Sequence, residues 1–174
     1  RDHIKAAGDH EHSLNFHFTP AERTSLDTEG DFAAGDDWRI FTFGDGGRWQ
    51  QNEGWVSNNY GNKTNAPFLR FIAKGRGAQE FFSFVLPADG AEMPEVTEIE
   101  IEGGRAFAIF YRGYTDLFVF ADNAGRMVRT ELFDTNFKFT WARVARGENV
   151  PQEYVLVGGD RFEIDGFEVI GNAP

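Results

Sequence analysis

The chain has 174 residues and a mass of 19.6 kDa, with 28 acidic against 17 basic residues, a net charge of −11 and no cysteine. These values exclude a disulfide scaffold, thiolate metal sites and thiol catalysis, and the acidic surface repels phosphate backbones, so no nucleic-acid partner is expected. An apolar content of 41% excludes a disordered chain, and no apolar run approaches the ~20 residues that a membrane span needs.

Nineteen Phe and 20 Gly point to strands joined by tight turns. The first strand is predicted over residues 10–18, where His10, His12, Leu14, Phe16 and Phe18 alternate with Glu11, Ser13, Asn15 and His17. Thr19-Pro20 ends it, because proline cannot continue an interior ladder. Residues 23–37 are polar and turn-rich, with a short strand near 24–28. Alternation returns at 38–43 and stops at the glycine-rich turn 44–47. Trp49, Trp55 and Tyr60 then stand among Gln, Asn, Ser and Gly, a composition that predicts an aromatic-studded loop with short strands.

Two strands follow at 68–74 and 80–86, around Gly75-Arg76-Gly77, and Pro87 closes the second. The polar stretch 87–94 is a joint between sheets. Residues 95–102 alternate Thr97, Ile99 and Ile101 with Glu98, Glu100 and Glu102. The following Gly103-Gly104 predicts a hairpin into a strand at 105–112. Further strands are predicted at 116–121, 127–133, 135–144, 153–157, 161–164 and 167–170, with turns at 122–125, Gly158-Gly159 and Asp165-Gly166. About a dozen strands without a helix indicate an all-β fold, an antiparallel β-sandwich, taken as one domain over 1–174. The chain opens on Arg1 rather than Met, which leads us to expect a processed piece of a longer chain.

Several segments, taken in order, resemble one family. Arg1-Asp2-His3-Ile4, Gly8-Asp9-His10-Glu11-His12 and Phe16-His17-Phe18-Thr19-Pro20 look like a late part of the heparinase II/III-like polysaccharide lyases. Trp55-Val56-Ser57-Asn58-Asn59-Tyr60-Gly61-Asn62-Lys63 and Phe82-Ser83-Phe84-Val85-Leu86-Pro87 are similar to later segments of the same family. Residues 1–87 carry this resemblance, although Ala6 and Ala7 stand where a first glycine is common. The resemblance implies the C-terminal β-sandwich portion of an enzyme that cleaves uronate-containing glycans by β-elimination. It also implies an N-terminal α/α-toroid of the same chain as partner and an acidic polysaccharide or oligosaccharide as the parent's substrate. The family's catalytic His-rich stretch falls upstream of Arg1, so no catalytic residue is carried over and the piece is expected to be inactive alone. The expected location is periplasmic or secreted, with the cytoplasm as the alternative.

Trp49, Trp55 and Tyr60, with Arg48 beside them, are the candidate carbohydrate contacts, because aromatic faces stack on sugar rings and neighbouring amides bond hydroxyls. The competing reading is that these aromatics pin a loop to the core. His10 and His12 share a strand face at a spacing that can present two imidazoles to zinc. His17, Asp9 and Glu11 point the other way, so no metal and no cofactor are expected. His12 is read as a hydrogen-bonding residue within the sheet and His17 as one that fixes the Pro20 turn. Glu98, Glu100 and Glu102 lie on one face and read as a solvated surface rather than a hydrolytic pair. Three functions follow: an accessory lyase sandwich, a free-standing carbohydrate-binding module, and a metal-dependent β-barrel enzyme centred on His10 and His12.

Overall fold

A computed structural model describes residues 1–27, 30–88 and 92–171. All of its regular structure is antiparallel β, in seventeen strands among the described residues. The chain divides into two compact units, Arg1–Ala91 and Glu92–Pro174. The division falls inside the polar stretch 87–94, whose residues 89–91 lie outside the described ones.

The first unit holds β1 (Asp2–Ile4), β2 (Asp9–His17), β3 (Ser25–Leu26), β4 (Phe32–Ala34), β5 (Trp38–Phe43), β6 (Arg48–Asn59), β7 (Asn62–Arg76) and β8 (Gln79–Pro87). One sheet runs β1-β8-β5-β4-β3 and the other β2-β7-β6. Their facing sides make the core: Ala33, Ile40 and Phe81 from the first sheet, and Trp49, Leu69, Phe71 and Ala73 from the second. Leu14 and Phe16 of β2 pack against the same cluster, as their alternation with Ser13 and Asn15 predicts. Fully burying one such phenylalanine contributes about 1.5–3 kcal/mol.

The second unit holds β9 (Glu95–Ile99), β10 (Gly104–Tyr111), β11 (Tyr114–Ala121), β12 (Val128–Arg129), β13 (Phe133–Thr135), β14 (Phe139–Ala145), β15 (Pro151–Val157), β16 (Phe162–Ile164) and β17 (Phe167–Ile170). A five-stranded sheet β15-β14-β11-β10-β9 and a four-stranded sheet β12-β13-β16-β17 form it. Small residues of the larger sheet, such as Ala106, Ala108 and Ala142, leave room for Phe133, Phe162 and Ile164 of the smaller one.

The all-β antiparallel reading holds, with more strands than the expected dozen. Two of the extra strands, β1 and β4, are only three residues long. The segment 127–144 yields three strands instead of two. The Thr130 hydroxyl accepts the backbone N–H groups of Leu132 and Phe133 at 3.1 and 2.9 Å, a local turn that interrupts the run. The largest correction concerns 49–60, expected as a loop with short strands: residues 49–59 belong to β6, one continuous twelve-residue strand. Its polar residues lie on an edge strand that projects beyond the core, where water rather than apolar burial sets the composition.

Candidate functional site

Strands β6 and β7 form one long hairpin, paired from Arg48 opposite Ile72 to Asn59 opposite Asn62. β2 pairs with β7 only from Arg76 to Phe68. Beyond Phe68 the hairpin continues as a two-stranded ribbon, with Glu53 opposite Pro67, Trp55 opposite Asn65 and Val56 opposite Thr64. Tyr60 and Gly61 turn it, Gly61 taking a φ of +84° that suits glycine.

This register separates the predicted contact residues. Trp49 lies at the proximal end and is only 7% exposed, within the core cluster. Its ring meets Phe71 edge-on at 5.3 Å and Phe16 at 5.5 Å. It is a core residue in this arrangement and presents no face to a ligand. Trp55, six residues on and about 20 Å further along the strand, is 66% exposed. Tyr60 is fully exposed at the turn. Arg48 is exposed, but it is seven residues from Trp55, about 23 Å along a strand and on the opposite face. Trp55 and Tyr60 therefore share the ribbon, while Trp49 and Arg48 stand apart from it. Asn62, which opens an Asn-Lys-Thr glycosylation sequon, is exposed at the start of β7.

Beside the ribbon lies an open groove of about 520 Å³. Its floor is the face of β6–β7 that carries Gln51, Glu53, Asn65 and Pro67, and its wall is the segment with Pro20, Glu22 and Thr24. Gln51 Nε2 fastens the wall to the floor, donating to the Thr24 carbonyl at 2.9 Å and lying 3.3 Å from the Thr24 hydroxyl. Trp38 Nε1 donates to Glu22 Oε1 at 2.8 Å and fixes that carboxylate. Asn65 Nδ2 donates to Glu53 Oε2 at 3.0 Å. Asn52 stands at the margin, and its Nδ2 is buried without a partner. The groove thus offers amide donors and two carboxylate acceptors, and no cationic side chain is among the residues that line it. Gln51 and Asn52 belong to the amide run visible in the sequence. Glu22, Thr24, Glu53 and Asn65 were not singled out there, because only the pairing of β6 with β7 and the return of the 20–24 segment bring them together.

The histidines take other roles. His10 and His12 share a face of β2, with ring centroids 5.8 Å apart. His10 Nε2 lies 2.8 Å from the Ala7 carbonyl oxygen. His12 Nε2 is buried without a partner, where a hydrogen bond within the sheet was expected. His17 stacks on Phe68 at 5.2 Å, with ring planes 9° apart. No group of three or more His, Asp and Glu among the described residues is placed to hold a metal ion.

In the second unit, Glu98 forms an ion pair with Arg105 on the neighbouring strand. Glu100 and Glu102 lie past the end of β9, beside Arg126 and Arg129. The three carboxylates therefore do not form one strand face. Arg143 makes two 2.8 Å hydrogen bonds to the two oxygens of Asp116 and lies over the rings of Tyr114 and Trp141. Its hydrogen bond to Asp116 raises the guanidinium above its ordinary range, against an opposing effect of burial. This cluster ties β11 to β14.

No family model matches the chain, and neither does any curated protein. Among the described residues, no helix is long and apolar enough to cross a membrane.

Proposed function

We propose that this chain is a non-catalytic, glycan-contacting β-sandwich portion of a heparinase II/III-like polysaccharide lyase acting on uronate-containing glycans. The resemblance of residues 1–87 supplies the lyase setting, with an α/α-toroid elsewhere in the parent chain carrying the β-elimination chemistry. The observation that carries the contact itself is the ribbon: Trp55 and Tyr60 expose their rings on a β-hairpin next to a groove of amides and carboxylates. A planar ring offers a sugar's C–H face an apolar platform, while amides and carboxylates satisfy its hydroxyls. The same contact would serve a free-standing carbohydrate-binding module.

One open face must offset the entropy of holding a flexible chain, so the expected affinity is weak, on the order of millimolar. Titrating a hyaluronan oligosaccharide into isotope-labelled protein should shift the Trp55 indole signal and the Tyr60 amide first, and Trp55→Ala should abolish the response. Shifts that cluster at Glu98, or a Trp55→Ala variant that binds like the parent, would refute this assignment. The chain alone should generate no unsaturated uronate product from heparin, heparan sulfate or alginate. Turnover that disappears in His17→Ala would instead make His17 a working base.

A further inference from the structure

The groove beside the ribbon also restricts which sugar can enter it. Resting on the glycan-contact reading above, we infer that it takes an uncharged pyranose residue and rejects a uronate. Its polar side chains hold two carboxylates, Glu22 and Glu53, and no lysine, arginine or histidine is among its lining residues. Each carboxylate has one oxygen engaged by a protein donor, Trp38 Nε1 for Glu22 and the Asn65 amide for Glu53. A carboxylate accepts at about four lone-pair positions, so both retain capacity for sugar hydroxyls. Gln51 is held in place by Thr24, so the wall is set before a ligand arrives. Trp55 lies on the same strand face as Glu53, one side-chain repeat of about 7 Å further along. A sugar bonded to Glu53 and Asn65 thus has its neighbour beside the exposed indole.

A uronate carboxylate placed here would face two like charges with no cation among the lining residues, on a chain that is already strongly acidic. A sugar with only hydroxyl or acetamido groups meets matching donors and acceptors without that repulsion. Where uronate alternates with an uncharged sugar, the groove receives the uncharged one and the uronate projects outward.

The test compares a chito-oligosaccharide, which is uncharged, with an oligogalacturonate of matched length, at low salt and with labelled side-chain amides. The chito-oligosaccharide should shift Gln51, Asn65 and the Trp55 indole, and the oligogalacturonate should bind at least about tenfold more weakly, a difference of about 1.4 kcal/mol. Glu53→Gln keeps an oxygen for the Asn65 amide and removes one charge. It should narrow that gap severalfold, whatever it does to the absolute affinity for the chito-oligosaccharide. Equal or tighter binding of oligogalacturonate at these signals overturns the uncharged-sugar assignment while leaving the glycan-contact reading intact. A Glu53→Gln variant with the parent's discrimination also overturns it, since charge would not be the source. If neither glycan shifts any ribbon signal, the glycan-contact reading fails and this inference fails with it.

Discussion

Trp49 and Trp55 show how one strand assigns opposite tasks to the same side chain. Both occupy the same parity of β6, but Trp49 lies where the first sheet covers the strand and Trp55 where the ribbon has run past it. Trp49→Ala should cost about 3–5 kcal/mol, because it removes a buried ring and leaves a cavity between Phe16 and Phe71. Trp55→Ala should change stability by no more than about 0.5 kcal/mol. Urea denaturation of the two variants checks this, and similar losses in both would mean that the ribbon folds back onto the core. Arg143 makes a second residue-scale case. Its raised pKa follows first from the hydrogen bond to Asp116. A group raised in the folded state contributes stability that is complete below its unfolded value and is lost only as pH rises through the folded one. Here that window begins above the ordinary guanidinium range. Asp116→Asn should therefore cost about 1 kcal/mol or less, because the guanidinium is partly exposed. The loss, followed by thermal melts, should stay constant from neutral pH to about pH 10.

At the scale of elements, the two glycines between β9 and β10 do different work. Gly103 takes a φ of +83°, the turn role that a Gly-Gly pair signals in a sequence. Gly104 is already within β10, and a Cβ there would lie 2.4 Å from the Phe120 carbonyl oxygen and 2.9 Å from the Ala121 Cα. Backbone cannot yield as a flexible side chain can, so Gly104→Ala should push β10 from β11 at a cost of about 1–3 kcal/mol. Amide exchange should quicken along the whole β10–β11 ladder. Protection unchanged from the parent would show that the strands separate without loss. The hairpin was legible in the sequence, but the close approach was not, since it arises from Phe120 and Ala121 at the far end of the following strand.

For the whole molecule, charge and architecture act on different properties. A net charge of −11 opposes compaction by self-repulsion. Raising ionic strength from low to physiological shortens the screening length to about 8 Å. Melting should rise by a few degrees with added chloride salt, each ~1 kcal/mol giving about 2–4 °C at this size. Binding of an uncharged glycan should stay flat over the same range, whereas a falling melting temperature would place favourable surface ion pairs above net repulsion. The two compact units each close their own core between two sheets, so a fault such as Gly104→Ala acts first on the sheet that contains it.

Period-two alternation and glycine turns determined the all-β antiparallel class, because burial of one sheet face leaves its pattern in any strand that carries it. Short-range signals placed most strands of the second unit for the same reason. The pattern fails where a strand has no buried face. Residues 53–59 of β6 have no buried residue on either side and were expected as a loop with short strands, although they are paired strand through most of that length. Composition alone also grouped Trp49, Trp55, Tyr60 and Arg48 as one set. Only the tertiary structure decided that the first is core, the last lies at the far end, and Trp55 and Tyr60 are exposed. It also decided the groove, whose Glu22 and Thr24 come from a segment nearly thirty residues before Glu53 and more than forty before Asn65. Sequence patterns report the environment of neighbours along the chain, whereas a binding groove is made by the register between strands and by the packing of a returning loop.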